Sequence, residues 1–290
     1  MTPPHKLLCG LIGAGIQRSL TPAMQEAEAR AQGLRLHYQL IDLDQTGKGV
    51  EALPMLIDAA HAMGFAGLNI TYPCKQAVIP LLDALSDEAR AMGAVNTVVF
   101  RDGKATGHNT DGSGWRWGFE RTLPGADLSR VLLLGAGGAG SAIAHSVCRM
   151  KAKSLVVVDN DLERASALVE ELRRLYGGAG GVTVSATSDV AAAMAGATGL
   201  IHATPTGMDK LPGLPLRAAL LRPELWLSEI VYFPRDTELL KAARAAGCRV
   251  VDGGTMAVGQ AIGAFELFTG LAADAARIDA HFHRLTKERA

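Results

Sequence analysis

The sequence predicts an α/β protein of two domains: an N-terminal α/β domain, then a doubly wound domain, with the C-terminal helices returning to the first. Three observations lead there. Short apolar runs alternate with helical patterns along most of the chain, the rhythm of strands joined by crossover helices. The stretch "VLLLGAGGAGSA" (131–142) reads as strand, glycine turn and helix start, and a series of such units follows it. The chain has 290 residues, and single cores stop growing at roughly 250 to 300, so two domains are expected.

In order along the chain, "LLCGLIG" (7–13) reads as a strand and "TPAMQEAEARAQG" (21–33) as a helix, with Thr21 as N-cap, Pro22 at the first position and Gly33 as terminator. "HYQLIDL" is a second strand, Val50 to Met63 a helical stretch, and "GFAGLNIT" a third strand, after which a helix opens near Cys74. "AVNTVVFRDGKATGHNT" has the pattern of a hairpin turning at Asp102-Gly103. The second domain then runs strand, glycine turn and helix ("RVLLLGAGGAGSAIAHSVCRM"), a buried strand ending in an acid ("SLVVVDND"), and a helix from Leu162 to Tyr176. A glycine-rich loop (177–181) and the strands "VTVSA", "GLIHATP", "LWLSEIVY" and "CRVVDGG" complete it. Helices over Met256 to Thr269 and Asp274 to Lys287 have no strand left to cross to. The expected boundaries are therefore 1–110 for the first domain, with 255–290 packing back on it, and 111–254 for the second.

Composition narrows the function classes. Hydrophobic residues make up 48% and the formal net charge is zero, so a buried core is affordable and a polyanion partner such as nucleic acid has no electrostatic support. Cys9, Cys74, Cys148 and Cys248 are scattered without a Cys-x-x-Cys pair, which fits a reduced cytoplasm. His281 and His283 lie two apart on a helical pattern and face different ways, and no histidine spacing suggests a metal site. No run reaches the roughly 18 apolar residues of a membrane span. Small-molecule chemistry is what remains.

Two glycine loops compete for a nucleotide. In the second, Gly135, Gly137 and Gly140 match G-x-G-x-x-G, with Ala136, Gly138 and Ala139 between them, and Asp159 with Asn160 closes the next strand. The first glycine permits the turn, the second lets the backbone approach a pyrophosphate, and the helix start offers unpaired N–H groups to the anion. Asp159 favours NAD over NADP: its carboxylate can accept from ribose hydroxyls but repels an added phosphate of roughly −1.5 to −2 charges. No Arg or Lys immediately follows the strand. In the first loop, Gly13-Ala14-Gly15, Arg18 occupies the third glycine position and Asp42 lies farther on than Asp159 does in its unit. Ser19 and Thr21 instead bracket a helix start, where hydroxyls and the helix dipole can hold a small anion such as a carboxylate, although Thr21 also fits an ordinary N-cap.

The stretches "SLTPAM", "LNITYPCK", "GAVNTV", "GHNTDGSG", "LLLGAGGAG", "ATPTGM" and "DGGTMAVGQA" stand in an order that resembles the shikimate dehydrogenase family, in its NAD-dependent quinate/shikimate branch. The resemblance covers essentially the whole chain. It implies reversible NAD-dependent oxidation of shikimate to 3-dehydroshikimate, with quinate to 3-dehydroquinate as a second reaction. It implies Lys75 and Asp111 as the catalytic pair, and leaves open which takes the proton. Ser19 and Thr21 would hold the substrate carboxylate, and Asn69, Thr71, Asn96, Tyr232 and Gln260 its remaining polar groups. Thr204 and Pro205 would line the nicotinamide side, with backbone contacts from Ile230 and Gly253. No metal is implied, and a monomer or homodimer is expected.

Four departures from the family pattern stand out. Asp159-Asn160-Asp161 replaces the Asn-Arg-Thr of many NADP-using members, Thr21 replaces the second serine of a Ser-x-Ser clamp, His202 stands where Asn often precedes Ala-Thr-Pro, and Thr255 replaces a frequent glycine. Two alternatives remain: action on an aminoshikimate-like analogue, or a non-catalytic ligand sensor on the same fold.

Overall fold

Continuous burial from Cys9 to Gly13 makes β1 (Lys6–Gly13) an inner strand, paired in parallel with β2 (Arg35–Asp42) on one side and β3 (Phe65–Ile70) on the other. The computed structural model describes residues 6–287. The sheet continues through an antiparallel hairpin, β5 (Thr97–Arg101) with β6 (Lys104–His108), to a short edge strand, β4 (Ala84–Leu85), in the order β2-β1-β3-β5-β6-β4. Asp102 and Gly103 close the hairpin with φ of 53° and 72°, the paired left-handed conformation that matches strand twist.

Five helices belong to this stretch: α1 (Thr21–Ala31), α2 (Leu43–Thr46), α3 (Leu53–Ala62), α4 (Cys74–Ala77) and α5 (Asp87–Met92). Leu53, Ile57 and Ala60 of α3 cover one sheet face with Ile12, Phe65, Leu68 and Ile70. One expectation is corrected at α1. Thr21 is its first helical residue and not its N-cap, because Leu20 is already right-handed (φ −88°, ψ −10°); the hydroxyl that receives a bond is that of Ser19, from the Thr21 N–H at 3.3 Å.

The second sheet is wholly parallel. It contains β7 (Val131–Leu134), β8 (Ser154–Val158), β9 (Thr183–Thr187), β10 (Gly199–His202), β11 (Trp226–Glu229) and β12 (Arg249–Val251), in the order β9-β8-β7-β10-β11-β12. The order reverses between β7 and β10, which is where a doubly wound sheet opens its ligand crevice, beyond the carboxyl ends of the strands. Its helices are α6 (Asp111–Thr122), α7 (Gly138–Arg149), α8 (Leu162–Tyr176), α9 (Val190–Ala195) and α10 (Glu238–Ala245). The sequence pattern names neither α9 nor α10, although Asp189 and Thr237 cap them through Ala192 N–H and Leu240 N–H, nor does it name α2, α5, α6 or the edge strand β4. Trp115 and Phe119 of α6 stack at 4.9 Å inside the core, with Trp115 Nε1 donating to Ser228 Oγ at 2.9 Å.

The chain divides into compact units after Thr110 and again after Ala257, which falls within α11 (Gly254–Thr269). The remainder of α11 and α12 (Ala275–Lys287) belong to the first unit. Ala264 and Phe268 cover the second face of its sheet with Cys9, Leu11 and Val99, and a Cβ on Gly67 would lie 2.4 Å from the Phe268 ring. Arg277 of α12 makes a forked pair with buried Glu28 of α1 at 2.7 and 2.8 Å. Among the described residues no helix is long and apolar enough to cross a membrane, and no three His, Cys, Asp or Glu residues cluster as a metal site would require.

Candidate functional site

The second unit presents a dinucleotide loop at its sheet's reversal point. β7 ends at Leu134, the chain turns at Gly135 with φ of 100°, and α7 starts at Gly138. A side chain at Gly135 would meet the Ala203 carbonyl at 2.7 Å, and one at Gly140 would lie 1.9 Å from the Gly135 carbonyl oxygen. Positions 137 and 138 face open space, with nothing within 4 Å of a built Cβ. The first and third glycines are therefore fixed by packing, whereas the middle ones leave the helix N-terminus accessible to an anion. This arrangement fits a pyrophosphate.

Asp159 follows β8 and reaches back to this loop. Its Oδ2 accepts from Ala136 N–H at 2.7 Å and its Oδ1 from Asp161 N–H at 2.9 Å. Arg164, five residues on in α8, binds the same carboxylate at 2.6 and 3.3 Å. Burial opposes ionisation of Asp159, but Arg164 and the two N–H donors outweigh it and hold the carboxyl below its ordinary range. Arg164 is the residue that reading the sequence missed. It is not adjacent to the strand; the Asp161 cap of α8 starts a helical turn that brings it back.

The other expected nucleotide residues lie at neighbouring strand ends. Ala203 N–H donates to the Leu134 carbonyl at 2.7 Å, which seats Thr204 against the glycine loop, its Cγ2 3.0 Å from a Cβ built on Gly135. Gly253 abuts the Ile230 and Val231 carbonyls, at 2.4 and 2.6 Å from its built Cβ. Pro205 is exposed beside Thr204, Asn160 is exposed after Asp159, and Ala139 is half-buried in the first turn of α7.

In the first unit, the loop after β1 is tied down by its own acid. Asp42, at the end of β2, accepts from the N–H groups of Gly15 (3.0 Å), Ile16 (3.2 Å) and Asp44 (3.1 Å) and from Gln17 Nε2 (2.9 Å). Burial works against ionisation here too, and these four donors keep the Asp42 carboxyl low. The same loop is joined to the end of β3: Ala14 N–H donates to the Tyr72 carbonyl at 2.9 Å, and the Thr71 side chain fills the space a Cβ on Gly13 would need. Ser19 and Thr21 follow this anchored loop, with Ser19 N–H donating to the Ile16 carbonyl at 2.9 Å.

Asn69 and Asn96 form one network. Asn69 Oδ1 accepts from Tyr38 Oη at 2.7 Å, and its amide donates to the Asn96 carbonyl (3.3 Å) and Thr97 Oγ1 (3.0 Å). Asn96 Oδ1 accepts from Thr97 Oγ1 (2.9 Å) and Thr110 N–H (2.8 Å), while its amide donates to Thr110 Oγ1 (3.0 Å). Both protons of the Asn69 amide are engaged, so what it offers outward is an acceptor lone pair and not the donor–acceptor pair expected of a free amide. Lys75 is half-buried on α4, and its carbonyl accepts from Val95 N–H at 2.8 Å, linking α4 to the segment that carries Asn96. Gln260 lies on α11, next to Ala261, whose carbonyl accepts from Gln25 at 2.8 Å. Asp111 and Tyr232 belong to the second unit; Asp111 is buried at the start of α6, and Tyr232 is exposed after β11.

An α/β unit carrying a polar cluster, followed by a parallel sheet with an open glycine loop and a strand-terminal acid, is the plan of a pyridine-nucleotide oxidoreductase. Residues 11–98 match the family model of the shikimate dehydrogenase substrate binding domain. A Streptomyces avermitilis protein named shikimate dehydrogenase (NADP(+)) is 54% identical over 271 residues, covering 93% of each chain. A Corynebacterium glutamicum protein named quinate/shikimate dehydrogenase (NAD(+)) is 46% identical, covering 94% of this chain and 96% of that one. The solved quinate dehydrogenase from Corynebacterium glutamicum in complex with NAD superposes with a TM-score of 0.90 at 44% identity, covering 97% of this chain and 99% of that one. The chain belongs to the shikimate dehydrogenase family.

Proposed function

We propose that this protein is a shikimate dehydrogenase that uses NAD in preference to NADP, oxidising shikimate reversibly to 3-dehydroshikimate and quinate to 3-dehydroquinate. The observation that supports the reading is the tie of the Gly13–Ala14 turn to Thr71 and Tyr72 at the carboxyl ends of β1 and β3, where Asn69 bonds Asn96 and Val95 bonds the Lys75 carbonyl; Ser19 and Thr21 follow that turn in sequence. Hydroxyls and a helix start suit a carboxylate; the Asn69 acceptor and the Thr71 hydroxyl suit ring hydroxyls. Tyr232 and Gln260 complete the proposed substrate set. Lys75 and Asp111 are the proposed catalytic pair, one taking the proton of the reacting hydroxyl and the other holding its partner's charge. A nicotinamide held at the second unit's glycine loop would supply the hydride acceptor. The proposed division is a substrate domain of 1–110 with 255–290 and a nucleotide domain of 111–254, in a cytoplasmic monomer or homodimer.

For the cofactor, the support is Asp159: a carboxylate held ionised at the end of β8, with Asp161 and Glu163 nearby, disfavours a ribose phosphate. Arg164 adds a condition. Both carboxylate oxygens are occupied by protein donors, so ribose hydroxyls reach Asp159 by displacing Arg164, whose side chain is 52% exposed. The names of the relatives point both ways, one to NADP and another to NAD. Steady-state kinetics on a grid of shikimate and quinate against NAD and NADP tests the reading. A higher kcat/KM with NAD is expected, and a tenfold preference for NADP contradicts it.

A further inference from the structure

Among the described residues, one cluster of buried polar groups in the second unit is not used by the reading above. His202 and Glu229 are the last residues of β10 and β11 and lie directly opposite each other in the parallel ladder. Neither is exposed beyond 1%. His202 Nδ1 lies 2.8 Å from Glu229 Oε1, and its Nε2 lies 2.6 Å from Thr204 Oγ1. Glu229 Oε1 also accepts from the N–H groups of Ile230 (2.8 Å) and Val231 (3.0 Å), and its Oε2 accepts from the buried hydroxyl of Thr237, the N-cap of α10, at 3.0 Å. A carboxylate buried against an apolar sheet is costly unless fully hydrogen-bonded, and this one has four donors. Two of those bonds fix backbone, at Ile230 and Val231, and a third continues through imidazole to a side chain on a different loop.

We propose that His202 and Glu229 are positioning residues for the nicotinamide end of the cofactor, acting by holding Thr204 and the Ile230 backbone as one wall with a fixed hydrogen-bond polarity. The inference rests on the proposed placement of the nicotinamide against Thr204 and Ile230. The polarity follows from the donor inventory. Glu229 Oε1 already accepts from two backbone N–H groups, so His202 Nδ1 donates to it, and in the neutral tautomer that the proposal assigns to the ring Nε2 accepts. Thr204 Oγ1 therefore donates inward to Nε2. Its other partner is Thr206 N–H at 3.4 Å, so a ligand that reaches this oxygen meets an acceptor lone pair and no proton. An acceptor there selects a ligand donor, such as the N–H₂ of a carboxamide. In this chain the two ring nitrogens of His202 couple the Glu229 side of the crevice to Thr204.

The test compares NADH with ADP-ribose, which lacks the nicotinamide, in His202→Phe, Thr204→Val and the double variant. The expected result is an NADH affinity lowered about tenfold in each, the loss of a single buried hydrogen bond's worth of preference, with ADP-ribose affinity changed less than about twofold. The double variant should be no weaker than either single one, because both remove the same link. A purely structural role would lower both affinities together and overturn the proposal. If Thr204→Val leaves NADH binding intact, the placement of the nicotinamide fails; if Thr204→Val weakens it and His202→Phe does not, only the positioning role fails. Should His202→Phe not fold, nitrogen-15 NMR of the wild-type protein decides the polarity. A proton on Nδ1 is expected, and a proton on Nε2 overturns the proposal.

Discussion

The two units contain the same local device, a strand running into glycines with an aspartate at the end of the next strand turning back to bind loop N–H groups. They put it to different uses. In the first unit Asp42 takes the N–H groups of Gly15 and Ile16, and no helix begins until Thr21, so the donors a phosphate would need are already occupied. In the second, Ala136 N–H is the glycine-loop donor that Asp159 takes, its other bonds coming from Asp161 and Arg164, and α7 begins at Gly138 with the neighbouring positions open. The distance from glycine to helix start, and which N–H groups the acid occupies, separate a nucleotide loop from a loop that carries hydroxyls elsewhere. A glycine pattern alone does not.

The largest effect expected from breaking either half is on turnover. Lys75→Ala, in the first unit, should lower kcat by about 10²- to 10⁴-fold while leaving the dissociation constant of NADH within twofold, measured by rapid kinetics and fluorescence titration. Next, Gly140→Val places carbon against the Gly135 carbonyl. Overpacking of this kind costs about 1–3 kcal/mol, and the displaced loop should lose nucleotide affinity by at least tenfold. At the equivalent position in the first loop, Arg18→Ala should not change nucleotide affinity. Asp42→Asn comes third: losing charge-assisted bonds should cost about 1.5–3 kcal/mol of stability and raise the KM for shikimate, with NADH binding unaffected. The Asp42 carboxyl is depressed in the fold, so its contribution is present above the ordinary carboxyl range and lost as pH falls below it. Acid unfolding of the variant should therefore depend less steeply on pH.

The smallest effect at neutral pH concerns His145, buried on α7 beside Tyr176 Oη (3.1 Å) and Glu171 Oε1 (3.7 Å). Burial, with a smaller contribution from Arg149, pushes its imidazole down to about 4. Between that value and the unfolded one near 6.5 the unfolded chain binds the extra proton, so stability falls as pH is lowered across this window, by about 3 kcal/mol in all. His145→Gln should flatten that stretch of the stability–pH curve and change little at pH 7, as denaturant titrations at a series of pH values would show.

Sequence patterns carried the strands other than the two-residue β4, and the long helices other than α6, because apolar periodicity and glycine placement are local. Leu162–Tyr176 and the Asp102-Gly103 turn are examples. By contrast, α6 holds Gly112, Gly114 and Gly118, which mask its periodicity. The short helices at Leu43–Thr46, Asp87–Met92, Val190–Ala195 and Glu238–Ala245 were missed because fewer than three turns give too little periodicity, although their caps, Asp42, Ser86, Asp189 and Thr237, were legible. The site was legible in its residue types and not in its bonding. Arg164 reaches Asp159 through a helical turn, Tyr38 on β2 reaches Asn69 on β3 across β1, and His202 meets Glu229 27 residues away through sheet register alone. Each depends on three-dimensional pairing, and a polar residue looks the same in sequence whether its hydrogen bonds are free or taken.

The measurement that tests the division between the loops most directly is a pair of dissociation constants, for NADH and for shikimate, in the variant carrying Ser19→Ala and Thr21→Val. Weaker shikimate binding with NADH affinity unchanged is the predicted result. Loss of NADH affinity with shikimate binding intact would contradict it and return the first loop to the nucleotide.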